Sequence, residues 1–330
     1  MQSTLDLTGY DAARETVVFY RVPEPGYLRV RGDDRIAFIQ RQTTNDIRAL
    51  TPERTQMTVL TSATARILDV WQLVMEPESI GVITLPGRGA ITARYLQTRI
   101  FFMDKVAVED ARAALGQFDV WGPQAASLLK QIGVESIPSA SETASISAAD
   151  VPARIIGLPG FIARGWRLIL PAEQMNSLAA QLSAAGATPL SQDAHELLRV
   201  EEGLPGPAHE LTDQYTPLET NLDAVISSTK GCYTGQEIIA RQITYDKITR
   251  RMVGLRLEGP VSVGAEVLAE NRKVGEVTSA VESPRLGSIA LAVIRRPHHE
   301  PGTTIVVKEG EHVINGVMSA LPFDQSQIRK

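Results

Sequence analysis

An α+β fold of antiparallel sheets, ending in a small β-barrel, is what this sequence predicts on three observations. Runs of alternating or β-branched residues recur through the first half without the strand-then-long-helix rhythm of a parallel sheet. From Met252 onward the texture changes to short strands set apart by glycine and proline, at the spacing of a small barrel. The chain has 330 residues, 43% of them hydrophobic, and no biased tract, which is enough for two or three packed units.

In chain order, strand patterning marks Tyr27 to Val30, Met57 to Leu60, Ile67 to Val74 and Ile80 to Thr84. Helical spacing follows from Gly89 to Arg99, where Ile91, Tyr95 and Leu96 share a face. Lys105 to Val108 reads as a strand, and Ala125 to Ile132 and Ala172 to Ala184 as helices. Between those helices, Ile137 to Ala153 is rich in Ser, Ala, Thr and Pro and reads as a loop or crossover. Leu190 to Glu202 is a helix with Ser191 as its cap and Gly203, Leu204 and Pro205 as its stop. Barrel strands are expected at Val253–Leu257, Glu266–Leu268, Val274–Ser279, Ser288–Ile294, Thr303–Val307 and Val313–Val317. The domain boundary falls near Arg250, giving residues 1–249 and 250–330.

The chemistry gathers at Lys230-Gly231-Cys232-Tyr233-Thr234-Gly235-Gln236-Glu237, which holds the only cysteine. Thr234 with Glu237 three residues later has capping-box spacing and sets a helix start at Thr234. Cys232 then precedes a helix N-terminus with Lys230 two residues away, and both favour a thiolate. The bland alternative, a small thiol packed under a helix, stays open on the sequence. Gly231 and Gly235 allow a tight bend or the close approach of a ligand.

This octapeptide resembles the signature of the YgfZ family of folate-binding proteins. These are relatives of the glycine-cleavage T-protein, an aminomethyltransferase, and are linked to iron–sulfur cluster assembly or repair. Phe38-Ile39-Gln40 with Thr43-Thr44-Asn45-Asp46 is similar to the family's N-terminal element. The run from Arg199 through Glu201 and Gly203 to Pro205 is similar to its helix end. Pro217, Glu219, Asn221 and Leu222 resemble the approach to the cysteine motif, and Gly275 to Ser279 with Ala290 to Ala292 resemble the C-terminal barrel. The similarity spans nearly the whole chain. It implies a three-lobed, T-protein-like folate-binding fold and tetrahydrofolate as cofactor.

By the same resemblance Glu201 holds the pterin, whose aminopyrimidinone edge offers two parallel donors to a carboxylate. On spacing alone Glu201 reads as a solvated helix end. Cys232 is the reactive group, with Lys230 and Arg241 setting its field. Lys230, Gly231, Tyr233, Gln236, Arg241 and Asn45 join the cofactor site, although the Asn45-Asp46 turn alone reads as a loop boundary or cap. An arginine fork at Arg241, Arg250 or Arg251 suits the carboxylates of a folate glutamate tail. Asp69 resembles the T-protein's catalytic aspartate, but Ala65 and Arg66 replace the preceding glycines and Val70 replaces its second acid. A strand-edge aspartate is the rival reading there.

Composition excludes several classes. A formal charge of −5 argues against general nucleic-acid binding. One cysteine allows no internal disulfide and no cluster held by four cysteines of this chain, and with no signal-like start it points to a reducing cytoplasm. No apolar run is long enough to span a bilayer. Gly87-Arg88-Gly89 lacks the third glycine of a dinucleotide loop, and the five histidines lack zinc spacing with Cys232. The expected function is folate binding in iron–sulfur enzyme assembly or repair, with those enzymes or assembly proteins as partners. Aminomethyl transfer and a non-catalytic scaffold are the rivals, and turnover is left open.

Overall fold

The computed structural model describes residues 5–161 and 163–323. The chain forms two compact units, each from three segments. The first takes Met1–Thr61, Leu68–His195 and Val225–Thr234; the second takes Ser62–Ile67, Glu196–Ala224 and Gly235–Lys330.

In the first unit, α1 (Ala12–Glu15) and β1 (Val18–Arg21) lead to β2 (Gly26–Arg31), α2 (Arg35–Gln42) and β3 (Gln56–Thr61). Then come β4 (Ile67–Met75), β5 (Ser79–Thr84), α3 (Gly89–Gln97) and β6 (Ala107–Asp110). Five strands form a sheet in the order β3-β4-β5-β2-β6. β7 (Leu115–Trp121), α4 (Ala125–Gln131), β8 (Thr143–Ala148), β9 (Val151–Phe161), β10 (Ala163–Pro171), α5 (Met175–Ala184) and β11 (Thr188–Pro189) follow. With β1, they complete a six-stranded sheet ordered β11-β1-β7-β10-β9-β8, in which the β1–β11 pair is parallel.

The period-2 alternation of strands decides what each face meets. On β5, Ile80 and Val82 join Leu28, Val30, Trp71 and Leu73 in a core with Phe38 and Ile39 of α2 and Leu96 of α3. Ile83 faces the other way with Tyr27 and Val74, where Ile156 and Ile169 of the six-stranded sheet close over them. Gly81 is glycine because that face is crowded: an added Cβ would lie 2.1 Å from the Tyr27 hydroxyl. The six-stranded sheet packs Phe118, Val120 and Leu168 on Leu128 of α4 and Leu178 of α5. Each such buried side chain contributes about 1.5–3 kcal/mol relative to exposure.

The second unit holds the end of α6 (Gln192–Glu201), then α7 (Gln236–Thr244) and β12 (Arg250–Leu257), β13 (Glu266–Ala269), β14 (Arg272–Ser283), β15 (Gly287–Arg295), β16 (Thr304–Glu309) and β17 (His312–Ser319). The six strands close into a barrel ordered β12-β15-β14-β13-β16-β17, so no edge is left open. Small and branched side chains fill it: Val253, Leu255, Val267, Ala290, Ala292, Ile305 and Met318.

The strands and helices expected in order are present, and Ser191 does cap α6, its hydroxyl accepting from the Ala194 amide at 3.1 Å. Two expectations are corrected. Ile137 to Ala153 is not a crossover: it contains β8 and the start of β9, paired antiparallel from Thr143↔Ile156 to Ala148↔Val151. The last helix starts at Gln236 rather than Thr234. Among the described residues no helix is long and apolar enough to cross a membrane.

Candidate functional site

The cysteine loop is fixed to the first unit at both ends and in its middle. At its start the Thr44 hydroxyl donates to the Val225 carbonyl at 2.8 Å, and the Ser227 amide donates to the Thr44 carbonyl at 3.0 Å. At its end the Thr234 amide donates to the Arg41 carbonyl at 3.1 Å, and the Thr61 hydroxyl donates to the Thr234 carbonyl at 2.6 Å. These bonds explain why Thr234 caps nothing. Gly235, at φ 84°, supplies the left-handed turn into α7 instead.

In the middle, Lys230 turns inward. Its Nζ donates to the carbonyls of Gln40 (2.7 Å), Thr43 (2.6 Å) and Asn45 (2.8 Å), which uses all three ammonium protons. Its hydrogen-bonding capacity belongs to the Thr-Thr-Asn-Asp turn. Burial pulls the Lys230 ammonium down to about 8, with Asp46 acting in the opposite direction. The ring of Tyr233 lies 5.0 Å from the same Nζ, and burial pushes its phenol up to about 12.

Asn45 is likewise occupied: its Nδ2 donates to the Met57 carbonyl and its Oδ1 accepts the Asp46 amide, both at 2.9 Å. Asp46 caps the 3₁₀ turn Ile47–Ala49, and its hydrogen bonds with Arg48 hold its carboxyl well below the usual range. Between these pinned points Cys232 is exposed, and a Cβ added at neighbouring Gly231 would meet nothing within 4 Å. The buried-thiol reading is therefore corrected. The loop presents the sulfur to solvent on a backbone held from below.

Asp69 is fully buried on β4. Its Oδ1 accepts from the amides of Val70 (2.8 Å) and Leu85 (3.1 Å), and its Oδ2 from the Thr92 hydroxyl (2.5 Å). Burial raises its carboxyl to about 6 against the pull of these bonds. The side chain ties β4 to the end of β5 and to α3, so the strand-edge rival is replaced by a buried brace. Ala65, where the resembling family has glycine, keeps a left-handed φ of 60°.

The remaining predicted residues belong to the second unit. Glu201, the last residue of α6, is buried rather than solvated, and its Oε1 accepts from the Ser283 hydroxyl at 2.5 Å. Beside it on the helix, Arg199 bonds Glu196 (2.5 Å), Glu210 (3.3 Å) and Ser279 (2.7 Å), and Glu210 has no exposed surface. Gln236 opens α7, and Arg241 is exposed on it. The structure thus brings Asn45, Lys230, Gly231, Cys232 and Tyr233 together and places Asp69 elsewhere in the first unit.

An open cleft of about 780 Å³ lies in the second unit, lined by Thr64, Arg66, Glu219, Gln242, Arg250, Arg295 and Arg296 among others. Arg250 forks onto Glu219 (2.8 and 3.1 Å), and Arg66 approaches the same carboxylate at 3.5 Å. Glu219 in turn accepts the Thr216 amide at 2.9 Å in a capping box. Of the cleft residues, sequence reading gave a ligand role to Arg250 alone, and the resemblance covered Glu219. Thr216-Pro217-Leu218-Glu219 carries the capping spacing that would have marked this turn. Gln242 Oε1 is buried in the cleft wall with no hydrogen-bond partner.

Comparison with known proteins adds to this geometry. The family described as GCVT N-terminal domain matches residues 7–230, and the glycine cleavage T-protein C-terminal barrel domain matches residues 250–324. A protein of Arabidopsis thaliana named as a chloroplastic transferase is 30% identical over 95% of this chain and 72% of its own length. The aminomethyltransferase of Thermus thermophilus is 30% identical over 98% of this chain and 91% of its own. The crystal structure of aminomethyltransferase T from Bartonella henselae superposes with a TM-score of 0.87 at 19% identity, covering 97% of this chain and 89% of that one. That likeness concerns the fold.

Proposed function

The chain belongs to the glycine cleavage T-protein family, and from that premise we propose that it binds tetrahydrofolate and acts, as a YgfZ-type protein, in iron–sulfur enzyme assembly or repair. The chemistry of the donor set supports folate. Glu201 is a buried carboxylate at a helix end, suited to the paired donors of a pterin edge. The cleft offers four arginines against one carboxylate, together with the unpartnered Gln242 Oε1, and this suits a tail of carboxylates and amide N–H groups. By resemblance Glu201 would hold the pterin, and Arg250, Arg295 and Arg296 of the cleft are suited to carboxylates. A bound reduced folate supplies nitrogens that carry one-carbon units.

One observation supports the YgfZ type: Cys232 is exposed on a loop held by its own Lys230 ammonium and by the hydroxyls of Thr44 and Thr61. A side chain presented this way is suited to meet a partner or substrate from solution. With a single cysteine, the chain would serve iron–sulfur proteins without carrying a four-cysteine cluster itself.

The names of its relatives favour a second reading, aminomethyl transfer. The lack of the preceding glycines and the full enclosure of Asp69 weigh against it. Asp69 then supports the fold and does not touch the reacting atoms. Two measurements separate the readings. Supplied with tetrahydrofolate and an aminomethyl-loaded lipoyl carrier, an aminomethyltransferase releases ammonia, methylenetetrahydrofolate and the reduced carrier; the YgfZ reading expects no turnover. Cys232→Ala should fold and bind folate normally yet fail to restore iron–sulfur enzyme activity in cells lacking the protein. Full restoration would remove the cysteine from the function.

A further inference from the structure

We propose that the tip Phe101-Phe102-Met103, between α3 and β6, is a docking anchor for an iron–sulfur client protein, which receives Phe102 and Met103 in an apolar pocket with an acidic rim. The inference rests on the reading of Cys232 above. The three side chains are 66%, 98% and 74% exposed in one unbroken run. Consecutive apolar side chains left in water are a solubility liability unless a partner covers them.

The tip is held from both sides. The Asp104 amide donates to the Phe101 carbonyl at 2.9 Å, closing a turn with Phe102 and Met103 at its corners. Asp104 Oδ2 accepts the Phe101 amide at 2.8 Å and pairs with the Arg41 guanidinium, which lies 5.1 Å from the Phe38 ring and 5.5 Å from the Phe101 ring. On the other side the Lys105 amide donates to Asp34 Oδ2 at 2.9 Å. Both ends of α2 thus fix the turn, and an aromatic anchor fixed beforehand loses little freedom on docking. The last turn of α2 also holds the cysteine loop, because the carbonyls of Gln40 and Arg41 accept from Lys230 and Thr234. Arg41 serves both, its side chain on the tip and its carbonyl on the loop. Anchor and thiol therefore keep a fixed relation, and a body seated on one is presented to the other.

Charge selects the occupant. Asp104 answers Arg41, and Asp33 lies 3.4 Å from Lys105 Nζ. An anionic lipid surface is recruited by clusters of unpaired Lys or Arg, which these pairs do not supply. Of the cations next to the tip in sequence, Arg99 is left: it is exposed, 4.8 Å from the Tyr95 ring, with no acid partner among the described residues. One free cation beside an apolar pair complements an apolar pocket with an acidic rim, as protein interfaces provide.

The experiment is restoration of iron–sulfur enzyme activity in cells lacking the protein, at limiting and at raised expression. The full-chain variants are Phe102→Ser/Met103→Ser, Phe102→Leu/Met103→Leu and Cys232→Ala. Loss of an aromatic anchor predicts at least about tenfold less restoration by the serine pair at limiting expression. Raised expression should recover much of it, because weakened docking yields to mass action. Cys232→Ala should fail at both levels, and the leucine pair, which keeps apolar surface, should stay close to wild type. Thermal unfolding of the purified serine pair, and the rate at which dithionitrobenzoate labels its Cys232, should match wild type. A change in either would mark a structural tip and overturn the inference, as would wild-type restoration by the serine pair at limiting expression. A wild-type dimer in sedimentation velocity that the serine pair lacks would give the tip to a second copy, and overturn it too. Binding to vesicles of phosphatidylserine and phosphatidylcholine that the serine pair lacks would give it to lipid, with the same result. Full restoration by Cys232→Ala overturns the thiol reading instead, so the two failures are distinct.

Discussion

Asp69 is a carboxylate whose energetics are set by enclosure. Its carboxyl stands at about 6 in the folded protein against 3.8 for an ordinary aspartate. Between those values the native state binds more protons than the unfolded chain, so the contribution of this group to stability falls as pH rises from about 4 to 6. The gap between the folded and ordinary values corresponds to about 3 kcal/mol. Asp69→Asn cannot titrate. The stability advantage of wild type over the variant, measured by urea unfolding, should be larger at pH 4 than at pH 7. An advantage that grew with pH would show that the three hydrogen bonds outweigh burial. Lys230 is the opposite case, a charge placed where three carbonyls meet it. Lys230→Met leaves those oxygens without their donor and should cost about 1–3 kcal/mol, the range for a stranded buried polar group. Amide exchange across residues 225–234 should quicken. Unchanged exchange there would mean that the threonine contacts alone hold the loop.

At the scale of elements, the barrel strands were legible because alternation and glycine or proline punctuation agree along them, as in β15, where Ile289 to Ile294 lie between Gly287 and the turn after Arg295. β8 was not legible. It is an edge strand with alternating exposure, and Ser145 and Ser147 on its open side resemble a linker to any reading by composition. The start of α7 was misplaced for a different reason. Thr234 and Glu237 have the spacing of a capping box, but both backbone polar groups of Thr234 pair within the first unit. A pattern over four residues does not reveal such distant partners. The two assignments predict opposite mutational outcomes. With Gly235 as the left-handed N-cap, Gly235→Ala should cost about 1–2 kcal/mol, and Thr234→Ala should stay within about 0.5 kcal/mol of wild type. A loss near 1 kcal/mol in Thr234→Ala, the usual cost of a removed cap, would restore the earlier start.

For the whole molecule, order along the chain and order in space part company. Composition places a boundary at residue 250, where the barrel begins, but the second unit recruits Ser62–Ile67 and Glu196–Ala224 from well before it. The reason lies in the buried acids of that segment. Glu210 bonds Ser279 of β14 at 2.7 Å, Glu219 is forked by Arg250 of β12, and Glu201 is held by Ser283. Asn221 adds a bond to the Met252 carbonyl at 3.1 Å. Removing the barrel would leave several carboxylates facing lost partners, and each stranded buried group costs about 1–3 kcal/mol or more when charged. That total rivals the stability of an ordinary domain. A fragment ending at residue 249 should therefore keep protected amides in β2 to β5 and β7 to β10 while residues 196–224 exchange as an unfolded chain, and it should not bind folate through Glu201. Hydrogen exchange read by mass spectrometry gives both segments in one experiment. Full protection of 196–224 in the fragment would show that these acids find partners without the barrel, and that residue 250 divides the protein physically as well as along the sequence.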